Sequence, residues 1–390
     1  MSGQSVNLRH GVFLAPYHDP KTNPTLSLRR DLELAQLLEN LGYAEYWFGE
    51  HHSGGLEIIA SPELMVAAAA ETTSRIRLGT GVISLPYHNP LTVANRILQL
   101  DHMTRGRAMF GVGPGLLVED AQMLNVDPGV TRNRMLESLE IILRLIDGET
   151  VSAASEWFTL NNAQSQLRPY SQPRPEFAVA SSGTPSGGRA AGRFGLSMLC
   201  VAATEVSGFD VLASNWAIAQ EIAAESGQSV TRNGLRLMAP MHIAETREKA
   251  RENVRHGIET WARYYECVAP VPFDTAGKDI VDVLINSKRA VIGTPDDAIQ
   301  MIERLLAKQG DFGAFLHQHT EWANWENTKR SYELYAEYVM PHFSKANTTR
   351  QESWDRLQNR KEDYQVKRSA AANKMFTEFH AEREIAAKRP

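Results

Sequence analysis

Apolar and polar positions along the chain switch repeatedly between two periods. Short runs dense in apolar and aromatic residues at 11–17, 43–48, 76–85, 107–112, 176–180, 196–201, 234–243 and 313–316 predict β-strands. Between them stand longer stretches with apolar residues at helical spacing. In 26–41 these are Leu28, Leu32, Leu34, Leu37, Leu38 and Leu41, with Gly42 as a natural stop. The same period predicts helices over 62–72, 91–103, 132–146, 186–194, 210–226, 248–265, 296–308 and 325–338. Eight strands alternating with helices over this length predict a closed α/β barrel, the (β/α)8 or TIM barrel. The alternative is an open doubly wound sheet. It would want a G-x-G-x-x-G after the first strand, and the chain has none there.

Two segments fall outside the alternation. Residues 267–292 mix Pro, Gly and Asp with apolar residues and read as an insertion before the last barrel unit, a lid over the mouth. Residues 345–390 read as a charged C-terminal helical extension beyond a barrel of residues 1–344. The extension carries Trp354, Leu357, Tyr364, Met375, Phe376 and Phe379, side chains that call for burial on the barrel or on a second subunit. A homodimer or higher homo-oligomer is therefore expected.

Composition narrows the function classes. With 43% hydrophobic and 22% charged residues, a large core is affordable and global disorder is excluded. A net charge of -5 offers no basic footprint, so a nucleic-acid partner is not expected. Two cysteines far apart, Cys200 and Cys267, build neither a disulfide framework nor a cysteine-based zinc cluster, and fit a reducing cytoplasm. The apolar run at 64–70 is far too short to cross a bilayer, and 1–14 lacks the pattern of a signal peptide.

Active sites of such barrels sit at the C-terminal ends of the strands. That places Glu50-His51-His52, Leu85-Pro86-Tyr87-His88, Gly113-Pro114-Gly115, Ser181-Ser182-Gly183-Thr184 and His317-Gln318-His319 at the mouth. The Ser181–Ser186 turn joins a strand to a helix with small hydroxyl residues and a glycine. That is a phosphate cradle or, more blandly, ordinary helix capping. A histidine at a strand end suits acid–base work near neutral pH. His51 and His52 are adjacent and point to opposite sides, so they are poorly placed to chelate one ion together. His317 and His319 share a face, which keeps a metal-dependent barrel hydrolase as an alternative, although no complete metal set is expected.

Several blocks then carry a resemblance. Tyr46-Trp47-Phe48-Gly49-Glu50-His51-His52 is similar to the "W…EHH" segment of bacterial luciferase and its relatives. Ser61-Pro62 with its alanine-rich helix, the run from Thr73 to Val82, Leu85 to Pro90, Leu100 to Arg107 and Ile292 to Asp297 resemble later family blocks, in order, over about the first 343 residues. Within this family the chain resembles the limonene-monooxygenase-like branch, through Glu321-Trp322-Ala323-Asn324 and the long tail.

The resemblance implies reduced FMN bound at the barrel mouth. His51 matches the histidine of acid–base chemistry beside the flavin, and Gly81 and Val82 match the strand bulge under its ring. Ser182, Gly183 and Thr184 match the phosphate loop. Arg132 matches a phosphate-pairing arginine, with Arg134 a rival at ambiguous spacing. Luciferase has a reactive cysteine and an arginine after the fourth strand, where this chain has Gly113 and Pro114 against the cofactor. That departure argues against light emission. The implied reaction inserts one oxygen atom of O2 into a small apolar substrate, terpene-like or a ketone, through a C4a-peroxyflavin. NAD(P)H supplies electrons directly or through a transient flavin reductase. A deazaflavin- or flavin-dependent dehydrogenase or reductase is the rival on the same fold, and a non-catalytic flavin-binding protein is another.

Overall fold

A computed structural model describes residues 8–268, 275 and 277–387. Eight parallel strands follow one another around a ring: β1 (Arg9–Leu14), β2 (Glu45–Phe48), β3 (Arg77–Ser84), β4 (Ala108–Gly113), β5 (Glu176–Ser181), β6 (Ser197–Cys200), β7 (Leu235–Ile243) and β8 (Ala314–His319). The ring closes because β1 pairs with both β2 and β8, Arg9 standing opposite Ala314 and Leu14 opposite His319. This is the closed (β/α)8 barrel that the alternation predicts, and the doubly wound alternative falls.

The helices between and after the strands are α1 (Pro24–Leu41), α2 (Pro62–Glu71), α3 (Pro90–Met103), α4 (Val118–Met123), α5 (Thr131–Ile146), α6 (Ser186–Phe194), α7 (Val206–Glu225), α8 (Arg247–Val254), α9 (Ile258–Val268), α10 (Ile280–Asn286), α11 (Pro295–Gln309) and α12 (Trp325–Leu334). Four of them begin on one device, a capping-type residue followed by proline. Asn23 accepts the N–H groups of Thr25 and Leu26, Asn89 accepts that of Leu91, and Thr294 closes a capping box with Asp297; Ser61 precedes Pro62 in the same position.

Strand parity divides two cores. Outward residues such as Val12, Tyr46, Phe110 and Phe315 pack under the helices. Inward residues fill the lumen, among them Phe13, Trp47, Met109, Leu199 and Leu316. Trp47 takes the middle of the lumen because its neighbours are glycines. A Cβ on Gly79 would lie 2.3 Å from its ring, and one on Gly111 3.4 Å from it. Below Trp47, at the N-terminal ends of the strands, Arg236 spans Glu45 (2.7 and 3.0 Å) and Glu176 (2.7 Å), a buried ionic floor.

Some elements differ from the sequence reading. The helix expected over 248–265 is broken at 255–257 into α8 and α9. There Gly257 runs against the backbone of the segment after β8, its N–H donating to the Trp322 carbonyl at 2.9 Å, and a Cβ would meet the Glu321 carbonyl at 2.3 Å. The described part of the segment 267–292, read from the sequence as a lid, contains α10 and leads into a short strand, Val291–Gly293, paired with Met241–Ile243 of β7. Residues 269–274 and 276 of that lid lie outside the described residues. An antiparallel hairpin, Val151–Ala154 with Thr159–Ala163, and the short α4 were not anticipated.

The chain separates into two units at Phe343/Ser344. The second contains helices Thr348–Asn359 and Lys361–Ala387 with no buried residue. Trp354 (53%), Phe376 (65%) and Phe379 (53%) are exposed in the single chain.

Candidate active site

The loops after β1, β2, β3 and β4 meet at the C-terminal mouth. The β1 loop bridges to the β2 loop at Tyr17 and Glu57, with the His18 N–H donating to the Leu56 carbonyl at 2.8 Å. This brace aims Glu57 at His51, whose Nε2 lies 2.8 Å from Glu57 Oε2 and whose Nδ1 lies 3.1 Å from Asp120 Oδ2. Asp120, on α4, also accepts the His52 N–H at 3.1 Å and the Ser53 hydroxyl at 2.5 Å. One carboxylate thus ties the whole β2 loop to α4. Burial works against a charge on His51, but Glu57 and Asp120 outweigh it and push its pKa up to about 10. Each ring nitrogen of His51 thus faces a carboxylate, an arrangement that favours its protonated form.

His52 turns the other way, as the parity of adjacent residues requires. Its Nε2 lies 3.1 Å from Glu50 Oε1, and His88 Nε2 lies 3.3 Å from the same oxygen. Burial opposes ionisation of Glu50, yet the two imidazoles hold its carboxyl below the usual range. Above this loop, Tyr264 of α9 and Leu117 close on Gly54, where an added Cβ would stand 3.2 Å and 3.8 Å from them.

The floor of the mouth is made of small groups. The pairing of β3 with β4 slips between Thr80 and Ile83, and the Gly81–Val82 peptide is cis. The bulge sends Val82 across to Gly113, where a Cβ would sit 2.6 Å from Val82 Cγ2 and 3.7 Å from Ala180 Cβ. Gly81 lies over Phe13, a Cβ there meeting its ring at 2.6 Å. Gly113, named from the sequence apart from the Gly81–Val82 bulge, forms one patch with it.

Ser182, Gly183 and Thr184 form the turn from β5 into α6, with both hydroxyl residues exposed. Asn215 Nδ2 donates to the carbonyls of Ser182 and Thr184, both at 3.2 Å, and fixes the turn from α7. α6 has no side-chain cap on its first N–H groups. Arg132 lies in the first turn of α5, is exposed, and has no ion-pair partner among the described residues. Its rival Arg134 is engaged elsewhere, stacked 5.4 Å over the Trp157 ring.

His317 and His319 do share a face, but it is the outer one. His319 Nδ1 lies 2.8 Å from the Tyr332 hydroxyl, and the His317 ring packs 4.8 Å from the Tyr332 ring. Burial lowers both to about 3, so they are neutral side chains behind the barrel wall. The metal-hydrolase reading that used them therefore loses its site. Glu57 and Asp120, which the structure places against His51, were not singled out from the sequence.

Comparison with known proteins gives the family and agrees with the fold. A family model described as luciferase-like monooxygenase matches residues 8–311. Limonene 1,2-monooxygenase of Rhodococcus erythropolis is 44% identical over 376 residues, 96% of this chain and 97% of that protein. The 4-hydroxyprotoasukamycin monooxygenase of Streptomyces nodosus subsp. asukaensis is 42% identical over 343 residues, 86% and 92% of the two chains. In structure, the oxygenating constituent of 3,6-diketocamphane monooxygenase from Pseudomonas putida, a type II Baeyer-Villiger enzyme solved with FMN, superposes with a TM-score of 0.72 at 21% identity, over 87% of this chain and 99% of that one. From the barrel, the ordered blocks and these relatives, the chain belongs to the luciferase-like monooxygenase family and is an enzyme of that class.

Proposed function

We propose that this enzyme uses reduced FMN to insert one oxygen atom of dioxygen into a small apolar molecule, terpene-like or a ketone. The observation that carries the reading is the pairing, at one mouth, of a low floor of Gly81, Val82 and Gly113 with the Ser182–Thr184 turn that leads into the start of α6, which has no side-chain cap. The residues fit the cofactor. A flat ring needs a floor without tall side chains, and the bulge supplies one. A phosphate needs N–H donors and hydroxyls, which the start of α6, Ser182 and Thr184 offer, and Arg132, exposed in the first turn of α5 and without an ion-pair partner among the described residues, is the candidate cation. Reduced FMN, when bound, supplies the two electrons that let dioxygen give one atom to the substrate and one to water; NAD(P)H renews it, directly or through a separate reductase.

The protein's own part is orientation, charge and dryness. His51, clamped by Glu57 and Asp120, holds a proton at the edge of the mouth and offsets negative charge there. Tyr264 and Leu117 roof the β2 loop and keep water away from the reacting centre. The name of the R. erythropolis relative supports an apolar substrate.

An anaerobic titration with photoreduced FMN tests the reading. Wild type should bind one equivalent. Ser182→Ala should weaken binding about tenfold or more, the loss of one charge-assisted hydrogen bond worth about 1.5–3 kcal/mol. Equal affinity in the variant removes the turn from the site, and absence of binding in wild type removes the flavin.

A further inference from the structure

Between the ends of β2 and β3 three ligand atoms converge. His52 Nε2 and His88 Nε2 stand 3.1 Å and 3.3 Å from Glu50 Oε1, and all three atoms lie within 4.8 Å of one another. Around a tetrahedral ion with bonds of about 2.1 Å, ligand atoms stand about 3.4 Å apart. The two spacings to Glu50 are close to the edges of such a polyhedron, and the two imidazole nitrogens lie within 4.8 Å of each other. Among the described residues this is the one such group. His51 has two carboxylate neighbours, but it offers each ring nitrogen to a different one and converges on no point.

The set is also braced and open in the required directions. Glu50 is buried, and its second oxygen accepts the Ser84 N–H at 3.2 Å, which fixes the carboxylate plane. The two imidazoles are each 21% exposed, so an ion can enter from the mouth and a fourth position is left for water. Two imidazoles and a carboxylate with one open position are the donors that zinc and its first-row neighbours take in catalytic sites.

We propose that Glu50, His52 and His88 form a three-ligand site for a divalent first-row transition metal ion such as zinc or cobalt. The site stands without the flavin reading, since it needs only these side chains. Protons compete with the metal for the imidazole nitrogens, so binding weakens in acid.

The test is a titration of the purified full-length chain with cobalt(II), read by its visible d–d absorption. One cobalt per chain is expected, displaced by zinc. His52→Ala and His88→Ala should each weaken it at least about tenfold, with unchanged far-ultraviolet circular dichroism. Should His88→Ala fail to fold, His88→Gln gives the same readout at nearly native volume. No saturable cobalt band in wild type, or a band of equal affinity in the histidine variants, overturns the site.

Discussion

Replacing Arg236 by methionine separates what the floor of the barrel does from what its mouth does. The guanidinium is fully buried and makes three short contacts with carboxylates, two to Glu45 and one to Glu176. Burial opposes charge on Glu45, and the Arg236 and Arg9 guanidinium groups overcome it and hold the carboxyl below its usual range. Methionine fills much the same space without charge. Glu45 would keep only Arg9 Nε at 3.0 Å and the Trp47 indole N–H at 3.0 Å. Removing one partner of a buried pair costs about 3–5 kcal/mol, and the remaining donors put this case near the lower end. An unfolding entropy of about 2.1 cal/mol/K per residue converts that range to a fall in Tm of about 4–7 °C for a barrel of this size. A second change, Glu45→Gln with Arg236→Met, should recover at least about 1 kcal/mol, because no buried charge is left unpaired. Urea unfolding followed by circular dichroism measures both, and FMN affinity should stay within about twofold, since the site lies at the opposite end. A single variant within about 1 kcal/mol of wild type, or a double variant no better than the single, refutes the reasoning.

Three further outcomes are expected. His51→Ala should leave FMN binding mostly intact and lower product formation by about 10²–10⁴-fold, with more hydrogen peroxide released; wild-type rate and coupling would reduce His51 to a structural role. Burial keeps His317 and His319 at about 3 and His10 and His242 at about 4, so these side chains stay neutral in the folded state while the unfolded chain protonates them near 6.5. Stability present above pH 6.5 is then lost as pH falls toward 4, by up to about 1.4 kcal/mol per unit for each histidine, and equal urea midpoints at pH 7 and pH 5 would contradict this. Truncation after Phe343 should move the mass measured by light scattering toward the monomer, as expected if Trp354, Phe376 and Phe379 pack on a second copy; an unchanged mass and melting temperature would make the tail dispensable.

Much of the barrel was written in local signals. The strand runs, the cap-and-proline starts at Asn23, Asn89 and Thr294, and the small residues at Gly81 and Gly113 all act within a few residues of themselves. What escaped depends on distant chain. The hairpin strands at 151–163 and the six residues of α4 are too short to show a period. The break at Gly257 is imposed by the backbone at Glu321, far along the sequence. For the same reason the clamp on His51 was invisible. Glu57 reaches it through a bridge to the β1 loop, and Asp120 arrives from the unanticipated α4. Sequence parity placed His317 and His319 on one face, but which face was decided by Tyr332 on α12.

The pairing of β1 with β8 has a consequence for synthesis. Arg9 must wait for Ala314 before its strand is flanked on both sides. At about 5–20 residues per second, that partner leaves the ribosome roughly 15–60 s later. Through that interval the nascent chain presents β1 with one row of backbone donors and acceptors unmatched. The half-built sheet is then a template for neighbouring chains, and how much enzyme is made will depend on what shelters that edge until translation ends.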